Sequence, residues 1–112
     1  MHNNYFDFER LDVYRLAVTV NRAVATTHWP VGRSHLKDQA IRAADSMVLN
    51  IAEGAERGRG TKAAKSHRAA FGFRIAKGSA GEVFATLDIL DLDTDSRGKL
   101  QRIGSMLSRL SR

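Results

Sequence analysis

Small apolar residues recur early in the chain at the spacing of one helix face: Val13, Ala17, Val20 and Val24 step by four, three and four. Asp12, Arg15, Thr19, Arg22 and Thr26 form a narrow polar stripe opposite, which predicts an amphipathic helix over about residues 8–28. His28-Trp29-Pro30-Val31-Gly32 reads as a turn, with Ser34 placed to cap a second helix over about 35–57. That helix buries Leu36, Ala40, Ala43, Met47 and Ile51, and Gly58 and Gly60 end it. A third pattern runs over about 61–92. A fourth, over about 95–111, carries Leu100, Ile103, Leu107 and Leu110. Asp93-Thr94-Asp95-Ser96 offers capping oxygens and acids where the N-terminal helix dipole favours them. The pattern predicts an all-α fold, an up-down-up-down antiparallel four-helix bundle spanning residues 1–112 as one domain.

The third segment departs from a plain bundle. Its stretch RAAFGFRIA, Arg68 to Ala76, contains a Phe-Gly-Phe that RNA-recognition strands also use for stacking bases. The strand motif further requires Lys/Arg-Gly before the first aromatic, and Ala69-Ala70 stands there instead. Helical spacing fits better. Ala64, His67, Phe71, Ile75, Gly78, Glu82, Ala85 and Ile89 share one face. Phe73 lies about 200° away around the same helix, among Ala69, Ala76, Ala80, Phe84 and Leu87. A helix apolar on two faces needs cover on two sides, whereas one small bundle covers only one. The sequence therefore predicts association between subunits, the alternative being a globular fold that wraps this helix completely.

Charge sharpens this picture. The chain has a formal net charge of +6. Residues 57–81 carry Arg57, Arg59, Lys62, Lys65, Arg68, Arg74 and Lys77 without an acid, whereas 82–96 carry Glu82, Asp88, Asp91, Asp93 and Asp95 without a base. The tail adds Arg97, Lys99, Arg102, Arg109 and Arg112. In the expected topology one end of the bundle gathers Arg57, Arg59, Lys62, Lys65, Arg68, Arg109 and Arg112, with Arg10 nearby, and the acids occupy the other end. Such a rim suits a polyanionic partner. With the aromatics expected in the core, binding would rest on phosphates and shape.

A polar stripe, Gln39, Arg42, Ser46, Asn50 and Glu53, runs beside the apolar face of the second helix. With a turn near residue 60, residue n would lie opposite roughly 120 − n, bringing Gln39 and Arg42 near Ser79 and Glu82. The expectation is a structural polar network of Gln39, Arg42, Asn50, Glu53, Ser79 and Glu82, with an Arg42–Glu82 pair satisfying a carboxylate inside an apolar face. Glu53 would meet His67 or Arg68, with Arg57 one turn on.

Known chemistry finds little purchase. Gly58-Arg59-Gly60-Thr61-Lys62-Ala63 fits G-x-G-x-x-A, but a helix rather than a strand precedes it. The Walker phosphate loop and G-x-S-x-G are absent, and His2, His28, His35 and His67 lack metal-ligand spacing. The sequence thus predicts no catalytic residue, no metal site and no cofactor. There is no cysteine, no apolar run long enough to span a membrane and no basic-then-apolar leader, which suits a cytoplasmic protein.

Leu36-x-x-Gln39-x-x-Arg42-Ala43-Ala44-x-Ser46-Met47-x-x-Asn50-Ile51-Ala52-Glu53-Gly54, followed by Ile75-Ala76-x-Gly78-Ser79-x-x-Glu82, resembles the bacterial four-helix-bundle family of 23S rRNA intervening-sequence proteins. Phe8-x-x-Leu11-x-Val13-Tyr14-x-x-Ala17 is similar to that family's opening, and Ile103-Gly104-x-Met106-Leu107 to its last helix. The resemblance implies a homopentameric ring. It also implies kinship with the accessory proteins of diversity-generating retroelements, which bind a reverse transcriptase and nucleic acid. The functional expectation is a non-enzymatic, oligomeric nucleic-acid-binding protein favouring structured RNA. The alternative is a scaffold docking on an acidic protein partner such as a polymerase or reverse transcriptase.

Overall fold

The computed structural model describes residues 6–57 and 62–112, with backbone alone at Asp7 and residues 62–68. Among them are four helices and no strand: α1 (Asp12–Thr26), α2 (Ser34–Arg57), α3 (Lys62–Ile89) and α4 (Thr94–Leu110), preceded by a 3-10 turn, Asp7–Arg10. α1 packs on α2 and α4, and α3 packs on the same two, so the helices form a four-cornered bundle. Val13, Ala17, Val20 and Val24 of α1 meet Ala40, Ala43, Met47 and Ile51 of α2 in a single core. Phe73, Ala76, Ala80, Val83 and Leu87 of α3 complete it with Leu100, Ile103 and Leu107 of α4. No helix among the described residues is long and apolar enough to cross a membrane.

The helix ends have local causes. The first helix starts later than its periodicity suggests, because Leu11 takes an extended conformation (φ −71°, ψ 127°) between the 3-10 turn and α1. At the far end of α1 the buried Trp29 donates its indole N–H to the Val24 carbonyl at 3.3 Å. α3 stops at Ile89, short of the expected residue 92. Asp91 turns to φ 51°, and the Leu92 N–H closes back on the Leu87 carbonyl at 2.9 Å. Asp93, also at positive φ, then caps α4 by accepting from the Ser96 N–H at 3.0 Å and the Ser96 hydroxyl at 2.6 Å.

α2 and α3 approach closely because two glycines face each other. A methyl group on Gly72 would sit 2.8 Å from the Gly54 Cα and 3.0 Å from the Asn50 carbonyl oxygen. One on Gly54 would press on the Ala69 carbonyl at 3.1 Å. The middle residue of Phe-Gly-Phe is therefore the floor of a helix crossing. Together with the Ser46–Ser79 contact, this crossing places residue n of α2 opposite about 125 − n of α3. The expected 120 − n is displaced by more than a turn.

The two faces of α3 have different fates. The Phe73 face is core. The Phe71 face is not covered by any part of the described chain: Phe71 is 54% exposed, Ile75 39% and Ile89 65%.

Candidate nucleic-acid interface and polar seam

Arg57 stands exposed in the last turn of α2 and forms an ion pair with Glu53, one turn back, at 2.5 Å. That is the i,i+4 partner expected from sequence. A phosphate reaching Arg57 competes with an exposed pair, which is weak in water. Arg109 is exposed in the last turn of α4 and shares a shallow apolar groove of about 300 Å³ with Leu11, Asp12, Val13, Met106 and Leu110. Arg112 follows, also exposed. Lys62, Lys65 and Arg68 belong to the opening turns of α3, but their side chains lie outside the described residues, as does Arg59 altogether. The expected Glu53–His67 contact also falls outside them. Arg15 sits nearer this end than its place in the polar stripe suggests, since its Nε donates to the Glu9 carbonyl at 3.0 Å.

At the α3–α4 turn the charge blocks partly cancel. Arg97 donates to Asp88 at 3.1 Å and to Asp91 at 2.9 Å, and Lys99 reaches Asp95 at 2.7 Å. Two cations of the basic tail thus belong to the acidic end, because α4 begins there.

The polar stripe of α2 does face α3, in a modified arrangement. The Asn50 side-chain amide donates to the Ser46 carbonyl at 2.8 Å and to the Ser46 hydroxyl at 3.1 Å. The Ser79 hydroxyl donates to the Ser46 hydroxyl at 2.9 Å, tying α3 to α2. Beside this seam opens a groove of about 610 Å³ lined by His35, Asp38, Gln39, Arg42, Ser46, Ser79 and Glu82. Four of the six expected network members, Gln39, Arg42, Ser79 and Glu82, thus line one groove, and Asn50 bonds Ser46 at its edge.

The expected Arg42–Glu82 pair does not form. Both residues are exposed, and no ion pair joins them among the described residues. The reason is the phase of α3. Glu82 belongs to the Phe71 face, which points away from the core, so its carboxylate stays in water and needs no buried partner. Glu53 likewise turns to Arg57 rather than into the seam.

The aromatics also depart from expectation. Phe6 is 50% exposed and stacks on Phe8 (ring centroids 5.2 Å apart, 17° between planes), which tilts against Tyr14 at 4.8 Å. With Phe71, this puts two half-exposed aromatics on a surface expected to have none. Among the described residues no three His, Cys, Asp or Glu side chains are placed to hold a metal ion.

Sequence reasoning missed the Gly54–Gly72 crossing, although glycines inside two otherwise unbroken helical patterns were a signal for close packing. It also missed Ser46 as the hub of the seam and Arg97 as the clasp of the acidic turn.

The model of a family described as 23S rRNA-intervening sequence protein matches residues 9–112. No curated protein matches the chain.

Proposed function

The chain belongs to the 23S rRNA-intervening sequence protein family, and from that premise we propose that it is a non-enzymatic, oligomeric RNA-binding protein. The observation that supports this most is the uncovered outer face of α3, where Phe71, Ile75 and Ile89 present an apolar row to solvent. Soluble monomers rarely leave such a row bare. A second copy covering it gives a closed assembly, and the family resemblance favours a ring of five. Asn21 bonds Asp45, and α3 pairs with α2 in opposite register, contacts that suit an up-down-up-down order. That order gathers Arg57, Arg109 and Arg112 with the start of α3 at one end. A ring repeats this basic end around one rim.

The arithmetic explains why assembly matters. One copy neutralising one or two phosphates binds weakly, whereas a ring engaging several copies reaches roughly 6–10 contacts. Affinity for an RNA hairpin then falls by about 10³-fold or more between 50 and 200 mM salt. The test is a salt titration of RNA binding. Changing Arg57, Arg59, Lys62 and Lys65 together to Gln is expected to flatten the slope without altering oligomer mass. Changing Arg22, Arg33, Lys37 and Arg102 to Gln is expected to leave the slope largely intact. Equal binding by both variants and wild type overturns the rim.

A second reading has support in the Glu53–Arg57 pair, which shows a rim guanidinium already engaging a carboxylate. On this reading the rim docks on an acidic protein, such as a polymerase or reverse transcriptase, and bare RNA shows no salt-dependent binding. Either role belongs in the cytoplasm.

A further inference from the structure

Ser46 and Ser79 behave unlike other hydroxyls on these helices. Thr19 and Thr86 each donate back to the carbonyl one turn earlier, at 3.0 and 2.8 Å. Ser46 and Ser79 instead bond each other across α2 and α3 at 2.9 Å, and the Asn50 amide donates to Ser46 at 3.1 Å. Two hydroxyls carry two protons and share one bond, so one proton is left with no acceptor among the described residues. Both serines are half-buried and line the groove of about 610 Å³, where exposed Arg42 stands on the α2 wall and exposed Glu82 on the α3 wall. These opposite charges face one groove, and no ion pair joins them among the described residues.

We propose that this groove takes an unpaired guanine of a bound RNA. Arg42 and the spare hydroxyl donate toward the O6 and N7 of the base, and Glu82 accepts from its N1–H and 2-amino group. The proposal rests on the RNA-binding reading above and names the base that is recognised.

The chemistry of the walls selects this ligand. A guanidinium matches the O6 and N7 acceptors of guanine, the commonest specific contact to a base edge. A carboxylate only accepts, so it matches the adjacent N1–H and amino donors. Adenine would turn its 6-amino group toward Arg42 and the bare N1 toward Glu82, opposing donor to donor and acceptor to acceptor. A phosphate suits the groove poorly, because Asp38 lines it together with Glu82 and like charges repel. A metal ion suits it no better beside Arg42, and no three side chains among the described residues are placed to hold one.

The groove also connects to the rim. Arg42, Ser46, Asn50, Glu53 and Arg57 step by four, four, three and four along one face of α2. Arg57 lies about 22 Å along the helix from Arg42. A strand whose phosphates are held at the rim therefore has a polar track leading to the groove. Loop nucleotides splayed out of a stem are the ones whose edges proteins read in RNA.

The probes are RNA hairpins sharing one stem, with an all-adenine loop or the same loop carrying a single guanine, inosine or 7-deazaguanine. Each is titrated against the full chain at fixed salt. Guanine is expected to tighten binding about tenfold or more over adenine, the scale on which a good bidentate contact discriminates. Inosine lacks the 2-amino group and 7-deazaguanine lacks N7, so each recovers only part of that gain. Glu82→Gln should bind guanine and inosine alike, and Arg42→Met should bind guanine and 7-deazaguanine alike. Both positions are exposed, so melting temperature and light-scattering mass should match wild type, which checks that the effect is local. Wild-type protein that binds every loop equally, with its salt dependence intact, overturns the groove and leaves the rim standing. Variants that keep the wild-type order of bases overturn it too. RNA that fails to bind at any salt overturns the RNA-binding reading and the groove together.

Discussion

Phe71 and Phe73 lie two residues apart on one helix and live in different solvents. Phe73 is 5% exposed, packed against Gly54 and the α2 backbone, while Phe71 is 54% exposed. Both belong to apolar rows at good helical spacing, so neither row is the better core by hydrophobicity. Large side chains occur in both, Phe73, Val83 and Leu87 in the buried row, so what separates them is the small residues that flank the buried one. The buried row approaches its neighbours through Gly72, Ala76 and Ala80, small enough for α2 and α4 to come close. The outer row carries Phe71, Ile75 and Ile89, and its glycine, Gly78, meets nothing within 4 Å. The close α2–α3 crossing selects small residues at Gly54 and Gly72. The proposed assembly surface keeps large ones.

The most severe way to break this contrast is truncation at the two phenylalanines. Phe73→Ala is expected to cost about 3–5 kcal/mol of protomer stability, the usual price of emptying a buried aromatic site. Phe71→Ala should stay within about 0.5 kcal/mol in the dissociated protomer, as exposed substitutions do. Urea unfolding at low protein concentration measures both. Equal losses would mean that α3 is covered on both sides within one chain.

A smaller effect separates the glycines. Gly72→Ala forces a methyl 2.8 Å from the Gly54 Cα, and overpacking of this kind costs about 1–3 kcal/mol. Gly78→Ala meets open space and should stabilise the helix by about 0.5–1 kcal/mol. Thermal melts of the pair give opposite signs if the crossing is as tight as the geometry states. Smallest of all is Glu82→Ala. An exposed carboxylate with no ion pair among the described residues should shift protomer stability by no more than about 0.5 kcal/mol. A loss of several kcal/mol would return Glu82 to a buried pair.

The helices were legible because each buried row repeats at helical spacing: Val13 to Val24 and Ala40 to Ile51 read directly as core. α3 was legible as a helix, but its orientation was not. With apolar residues on opposite sides, the pattern carries no direction, and the choice between Phe71 and Phe73 is made by the Gly54–Gly72 contact. The same contact explains the register. Counting outward from a turn near residue 60 assumes that the loop sets the pairing, whereas the glycine crossing sets it and shifts the partner of Ser46 to Ser79. The polar seam was therefore visible as a stripe, while the Arg42–Glu82 pair inherited the wrong phase. Charge blocks misled in a similar way, since Arg97 and Lys99 fold back on Asp88, Asp91 and Asp95 at a turn that composition cannot locate.

Everything proposed for RNA depends on the outer face of α3 being an assembly surface. Light scattering of the wild-type chain beside a Phe71→Ser, Ile75→Ser double variant, at micromolar concentration, measures that directly. The account predicts a wild-type mass several times that of one chain and a folded variant of single-chain mass. A wild-type protein that elutes as a clean monomer, or a variant that assembles as well as wild type, would contradict it.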